Sequence, residues 1–465
     1  MSFVKVGFTA NTEATAVDMN QLETNVDAND GTSAISWTVN NDATAGEDTT
    51  IVLENDEATY GGAIKYQDSD KTLYFTNNYK AAVPTWEAIG AADPSEFECT
   101  VGVTVGDYAT LGLAIAAGKV RILVIADTTE TGDITLPSDC LIVGIGKEAV
   151  NIDMVGYVFL DNGGANEGFH VEELKITTSS GSGEDLFSDM NKLYIKRVYF
   201  DNNATANSCY CVTHSTATDD APVILDCTLD LPNYTGSGLY LLGGKQGKVS
   251  YVQDLKIIGG GSSCRAIGNS VGVIDGITIT GTSSHSEFLR IKGIVRNVFC
   301  YSSTGIYVDG DGILENCYAT NNTLTIKMYG KELHNIQDFY SITFYGDDFN
   351  ASNLFSSNQI GLVFNSASQQ GNISNVVLNH ASGDIVVASG ANMHNFNNIQ
   401  IAGAFSIVGN DITVSNARVG AISGGGSETI TINVAATRTI LVGCRADADI
   451  VDNSADAQIV ACVTY

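Results

Sequence analysis

The sequence predicts an all-β chain: a right-handed parallel β-helix of about fourteen coils behind a small N-terminal α/β module. Three observations predict it. The composition is turn-rich, with 48 Gly, only 5 Pro and abundant Asn, Asp, Ser and Thr among 465 residues. A six-residue phrase recurs along most of the chain. One position of that phrase stays apolar or Cys in every copy.

The phrase reads apolar, any, Asn/Asp/Gly, apolar, any, apolar. Its copies are VEELKI from Val171, IKRVYF from Ile195, ILDCTL from Ile224, VQDLKI from Val252, IDGITI from Ile274 and VRNVFC from Val295. LENCYA from Leu314, IQDFYS from Ile336, ISNVVL from Ile373, FNNIQI from Phe396 and VSNARV from Val414 continue it. LVGCRA from Leu441 and IVACVT from Ile459 are degenerate copies. The mean spacing is about 23 residues, one turn of a solenoid. The gap of about 37 residues after Ile336 predicts a missed coil near Leu354, or a large insertion.

Physical chemistry explains the phrase. Coils stack at the inter-strand spacing of about 4.8 Å. The third position turns a corner in the left-handed conformation that Asn, Asp and Gly tolerate. Asn side chains there can bond from coil to coil as a ladder. The fourth and sixth positions point inward by strand alternation. The fourth reads Leu174, Val198, Cys227, Leu255, Ile277, Val298, Cys317, Phe339, Val376, Ile399, Ala417, Cys444 and Cys462. Cysteines in that column, and Cys300 at a sixth position, read as buried thiols that rarely meet one another, not as disulfides.

The elements follow in order. Residues 1–95 lack the phrase. Thr12–Val26 reads as a short helix with Thr12 as N-cap. The runs AISWTV, TTIVLE, GAIKYQ and KTLYFTN read as an antiparallel module. Residues 96–118 form a linker and a helix, Tyr108–Ala117, that caps the open first coil. Residues 119–465 form the β-helix, starting with strands at Val120–Ala126, Gly132–Leu136 and Leu141–Ile145. Beyond Val463 only Thr464 and Tyr465 close the far end, so another copy is expected to cover it.

Net charge is −30, from 23 Lys and Arg against 53 Asp and Glu. Such a surface repels nucleic acid and anionic membranes, and suits solubility or a particle surface. No apolar run reaches membrane-spanning length, and Met1–Gly31 lacks a signal-peptide core. Synthesis in a cytoplasm is expected.

YATLGLAIAA followed by RILVIADT, GDITLPSD and CLIVGIG resembles the start of the pectate-lyase-like β-helix of phage tailspikes and tail fibres. SWTVNNDATAGEDTTIVLENDEATYGGAIKYQDSDKTLYFTN with WEAIG is similar to virion-associated fibre modules. The resemblance covers nearly the whole chain. It implies a homotrimer on a virion, at the tail or capsid surface. It also implies an N-terminal module that joins other virion proteins, and a surface that binds a host glycan. The chain departs from the family in having no large domain after Tyr465 and no recognised catalytic motif.

Glycan cleavage would need paired carboxylates in a groove. The candidates are Asp309, Asp311 and Glu315 in YVDGDGILEN and Asp347 and Asp348 in FYGDDFN, with Asp219 and Asp220 as a further pair. Asp347 and Asp348 lie near Tyr340, Phe344, Tyr345 and Phe349 in sequence, aromatic rings suited to sugars. Among 53 acids such clusters also arise as solvated turns. Lyase chemistry needs calcium carboxylates and a basic residue; Asp226, Asp254 and Asp338 fall on corners with no Arg beside them. Receptor-binding candidates are Tyr234, Tyr240, Tyr340 and Tyr345, on long arms at Asp201–Val223, Pro232–Gly247 and Tyr340–Asn372.

No metal site or cofactor is expected. Cys209, Cys211 and His214 lack a fourth ligand, and the glycine runs lack a following Lys-Ser/Thr. The reading is a non-enzymatic viral fibre or tailspike that binds a host surface glycan. Alternatives are a polysaccharide depolymerase acting as a glycoside hydrolase, a capsid-decorating fibre, and a non-viral adhesin.

Overall fold

In the computed structural model of the chain, each copy of the phrase folds as two short strand segments meeting at a sharp corner. Residues 96–464 are described except for 162–167, 180–184, 204–209, 215–220, 232–236, 242–248, 260–264, 281–286, 302–303, 321–323, 358–360 and 421–427. Of residues 1–95, the backbone of five strands is described. The chain divides into two compact units, Met1–Glu96 and Phe97–Tyr465.

The first unit holds β1 (Ile35–Thr38), β2 (Thr49–Glu54), β3 (Gly61–Gln67), β4 (Thr72–Thr76) and β5 (Glu87–Ala88). They pair antiparallel in chain order, the meander that the alternating runs predict. The expected helix Thr12–Val26 lies outside the described residues.

The second unit is a parallel β-solenoid. Its bent sheet carries the phrase, and a facing sheet supplies one strand per coil. Among the described residues the facing sheet has fifteen strands, from Ile134–Leu136 to Asp449–Asp452, in line with the expected number of about fourteen coils. Pairing along both sheets is parallel and nearly in register. Crossovers of this kind between twisted strands wind right-handed.

The corners have the predicted conformation. Glu173, Arg197, Asp226, Asp254, Asn297, Asn316, Asn353, Asn375, Asn398, Asn416 and Ala461 all have φ between 48° and 58°, and Gly276 and Gly443 lie at 80° and 62°. A left-handed residue costs roughly 1–2 kcal/mol. Burial of a Val, Leu, Ile or Phe contributes about 1.5–3 kcal/mol each, and one coil buries Leu289, Ile291, Val295 and Val298 together, so burial outweighs the corner.

Asparagines reduce the corner cost further by bonding from coil to coil. Asn316 Nδ2 donates to Asn297 Oδ1 at 3.1 Å, Asn335 to Asn316 at 2.9 Å and Asn353 to Asn335 at 2.8 Å. Asn375 donates to Asn353 at 3.0 Å and Asn398 to Asn375 at 2.8 Å. A second ladder joins Asn350, Asn372 and Asn395.

One copy of the phrase is corrected. Strand Glu332–Gln337 pairs Leu333 with Leu314 and Ile336 with Cys317. The copy is therefore LHNIQD from Leu333, and Ile336, not Phe339, occupies the inward fourth position. Asn335 and Asp338 are both left-handed, three residues apart, so the pattern fits either. The missed coil is the strand Asn350–Ser356, with Leu354 opposite Ile336.

The fourth-position column is buried throughout, apart from half-buried Cys462. The eight described cysteines are free. Two pairs nevertheless meet, contrary to expectation: Cys317 lies beside Cys300, and Cys444 N–H donates to Cys462 Sγ at 3.3 Å. Parallel register sets Cys444 opposite Cys462, fourth positions of adjacent coils, whereas Cys317 at a fourth position reaches diagonally to Cys300 at a sixth, whose register partner is Ala319. Burial pushes the Cys140 and Cys227 thiols up to about 12, which keeps them protonated and inert.

The capping helix, α1, spans Leu111–Ala116 and starts later than the expected Tyr108. Asp107 Oδ2 accepts from Thr100 N–H at 2.8 Å and from its hydroxyl at 3.0 Å, which holds Tyr108 in a parallel bridge to Val101. Thr110 is the N-cap. The buried Glu130 carboxylate accepts Leu111 N–H at 2.9 Å, Gly112 N–H at 3.0 Å and the Thr128 hydroxyl at 3.1 Å. Glu130→Ala leaves these donors unmet and is expected to cost about 2 kcal/mol, with Glu130→Gln milder. Chemical denaturation of both variants measures this; equal stability of Glu130→Ala and wild type would refute the capping role. Among the described residues no helix is long and apolar enough to cross a membrane.

Candidate functional site

Strand alternation on the facing sheet sends every second residue outward. The register places Thr213 beside Tyr240, Arg290 beside Tyr307, Tyr307 beside Lys327 and Lys327 beside Thr343. Leu239 pairs with Ile267, so Gly268 follows Tyr240 in this row. A Cβ on Gly268 would lie 2.6 Å from the Tyr210 hydroxyl and 2.7 Å from the Tyr240 ring. Glycine there makes room for the two rings, whose centroids are 5.2 Å apart.

A second row runs just past the strand ends. Asp309, Tyr329 and Tyr345 each donate a backbone N–H to the preceding coil, at Ile291, Val308 and Met328. Tyr329 stacks on Tyr307 at 4.9 Å and on Tyr345 at 4.5 Å, the latter within 3° of parallel. Arg290 lies over the Tyr307 ring at 5.0 Å. Both faces of Tyr329 are therefore covered, and this stack offers phenol edges and hydroxyls to a ligand.

Ion pairs lock the charged middle of the stripe. Arg290 pairs with Asp309 at 2.9 Å and approaches Glu287 at 3.9 Å. Arg265 pairs with Glu287 at 2.9 Å, and Lys292 lies 3.8 Å from Asp309. Among the described residues the buried Arg290 Nε has no hydrogen-bond partner. The Asp309 hydrogen bond raises the Arg290 guanidinium further, fixing its charge. Burial raises the phenols of Tyr210, Tyr307 and Tyr329, so they stay neutral donors at physiological pH.

One carboxyl differs. Asp185 accepts Tyr210 N–H at 2.8 Å and the Thr213 hydroxyl at 2.6 Å, yet burial raises it from its ordinary value. The stripe thus combines fixed guanidinium–carboxylate pairs, hydroxyl edges and one partly desolvated acid, an arrangement suited to polar hydroxylated ligands.

The sequence candidates divide across the fold. Tyr240, Asp309 and Tyr345 lie on this stripe. Asp311 is exposed in the turn beyond Asp309. Glu315 lies on the bent sheet, between Arg296 and His334 in register, so the structure separates it from Asp309. Asp347 and Asp348 are exposed at a corner, where Asp348 is left-handed. Phe344 and Phe349 are fully buried, so of the aromatic residues near that pair only Tyr340 and Tyr345 reach the surface. Tyr340 sits at an irregularity of register at the start of its strand. Tyr234, Asp219, Asp220 and Cys209 lie outside the described residues. Cys211 and His214 are buried. Among the described residues no group of three His, Cys, Asp or Glu is placed to hold a metal ion.

Sequence reasoning missed Asp185, Tyr210, Arg265, Glu287, Arg290, Lys292, Tyr307 and Tyr329. The signal was present: Val308-Asp309, Met328-Tyr329 and Phe344-Tyr345 each end a facing strand with an inward apolar residue and then an outward polar one.

These observations define a parallel β-solenoid with a polar, tyrosine-rich stripe on its facing sheet. No protein-family model matches the sequence, and no curated protein matches it. Among solved structures, the A-module of a mannuronan C-5 epimerase from Azotobacter vinelandii is similar at 12% identity and a TM-score of 0.25. The match covers 77% of this chain and 91% of that one. A superposition this loose transfers no residue role and no activity.

Proposed function

We propose that the chain is a surface fibre of the phage tailspike or tail-fibre kind, which holds a host surface glycan along the facing-sheet stripe. The observation that carries this reading is the continuous row from Tyr210 and Tyr240 through Arg265, Glu287, Arg290 and Asp309 to Tyr345. A polymer of repeating polar units suits a surface that repeats once per coil. Fixed arginine–carboxylate pairs present planar donors and acceptors to neighbouring hydroxyls, and little reorganisation is needed on binding. The N-terminal unit would join other virion proteins, and the assembled fibre would contain several copies, three by resemblance.

The test is binding of purified full-length protein to host capsule or lipopolysaccharide, followed by calorimetry. Arg290→Ala and Tyr329→Ala are each expected to weaken binding by about tenfold to a hundredfold, near 1.4–2.8 kcal/mol. Binding unchanged in both variants, with folding intact, would sink this reading. A depolymerase is the second reading, favoured by the place of the Asp185 carboxylate, which lies on the stripe 2.8 Å from Tyr210 N–H and 2.6 Å from the Thr213 hydroxyl. New reducing ends on incubation, abolished by Asp185→Asn, would establish hydrolysis in place of pure binding.

A further inference from the structure

We propose that copies of this chain pack against one another through the outward face of the bent sheet, between Ile294 and Arg418. This takes up the self-association proposed above and names its surface.

Seven strands form the face: Ile294–Cys300, Ile313–Ala319, Glu332–Gln337, Asn350–Ser356, Asn372–Leu378, Asn395–Ile401 and Thr413–Val419. Their register is continuous, with an equivalent corner in each, so their outward residues form straight columns. One column runs Phe299, Tyr318, Gln337, Phe355, Val377 and Gln400. Phe299 is 45% exposed, and Tyr318 and Phe355 are 38% exposed. Tyr301, just past the first strand, is 52% exposed. Aromatic residues this open, aligned on a regular sheet, are typical of a surface that another protein covers.

Charge selects the occupant. The whole chain carries −30, so two copies repel each other across most surfaces. The outward positions of these seven strands carry only Arg296 and Arg418 against Glu315 and Glu332, which balance. The Asn350–Asn372–Asn395 and Asn353–Asn375–Asn398 ladders tie down polar groups with no net charge. A second acidic copy meets no electrostatic penalty here. The size also suits: seven strands about 4.8 Å apart and about 20 Å long cover roughly 600–700 Å², near the ~800 Å² per partner of a standard interface.

The experiment uses the full chain. A photo-crosslinking residue placed at Tyr318 or Phe355 is expected to join copies covalently, whereas the same residue at Tyr329 on the stripe is not. Sedimentation should show several copies per particle, with association strengthening as salt screens the remaining acidic surface. Phe299→Asp with Phe355→Asp should weaken association by at least tenfold. Gln337→Glu with Gln400→Glu, which leaves every aromatic in place, should weaken it in the same direction. An assembled wild type giving no crosslink from either position overturns this face while self-association stands. A wild type that sediments as a single chain at all concentrations overturns both. Neither result bears on glycan binding by the stripe.

Discussion

Replacing Phe364 by alanine is expected to cost about 3–5 kcal/mol, the largest effect of any single truncation considered. Phe364 ends the facing strand Leu362–Phe364 and is fully buried. Its ring stacks on Phe344 at 4.6 Å, meets Phe396 edge-on at 5.0 Å and lies 5.1 Å from His394. Phe349 and Phe405 extend the cluster across four coils. Truncation forfeits the ring's transfer free energy and leaves a cavity that parallel strands on both sides hold open. Each coil of a solenoid contacts only its neighbours, so the damage should be local. Denaturant unfolding should show the loss, and amide exchange should place it between Met328 and Ile407, with the first coils at Ile122–Val124 unchanged. A loss under about 1 kcal/mol would mean that the cluster repacks, and that the stacking geometry contributes little.

That cluster also shows how much the sequence reveals. The bent sheet was legible because each of its positions is constrained by its counterpart one coil away. A corner must tolerate the left-handed conformation, and the fourth position must be buried. Asn316, Asn353, Asn375 and Asn398 satisfy the first demand, and Leu255, Ile277 and Val376 the second. The pattern slipped where Asn335 and Asp338 offered two corners three residues apart, and in the next coil, where Ser356 stands at the sixth, normally apolar, position. Phe344 and Phe349 were misjudged because their neighbours Asp347 and Asp348 are polar, although strand alternation already sends Phe344 inward with Ile342.

The facing sheet was less legible for a different reason. Several of its strands, such as Leu289–Ile291, Leu362–Phe364 and Ile385–Val387, have only three residues and are separated by arms of changing length. An outward residue there has no fixed sequence offset from its neighbour in the next coil. Arg290, Tyr307 and Tyr329 therefore look unrelated in sequence while forming one stack in space. The acids were visible but undifferentiated. Only the fold shows that Asp309 meets Arg290 and Lys292 while Glu315 lies on another sheet.

His394 should make the same region labile in acid. The residue is fully buried within the phenylalanine cluster. Nδ1 accepts Gly371 N–H at 3.0 Å, so Nε2 carries the proton and donates to the Ser368 hydroxyl at 3.1 Å. A Cβ on Gly371 would strike the Phe349 ring and lie 2.7 Å from Nδ1, so this close backbone approach requires glycine. Protonating Nδ1 would set two donors against each other in a buried site. Burial accordingly pushes the imidazole down from 6.5 to about 4.

The unfolded chain takes up this proton near pH 6.5, while the folded chain refuses it until about pH 4. Stability is therefore full above pH 6.5, falls as pH drops through that window, and reaches its full loss below pH 4. The shift corresponds to about 3 kcal/mol. His214, also buried and shifted down, acts in the same direction. The many carboxylates titrate too, so the measurement is a difference between wild type and His394→Gln. Gln retains an acceptor for Gly371 N–H but binds no proton. The variant should be the less stable protein at pH 7, and its deficit should shrink by about 3 kcal/mol between pH 7 and pH 4. A deficit that stays constant across that range would show that His394 is not held neutral by the fold.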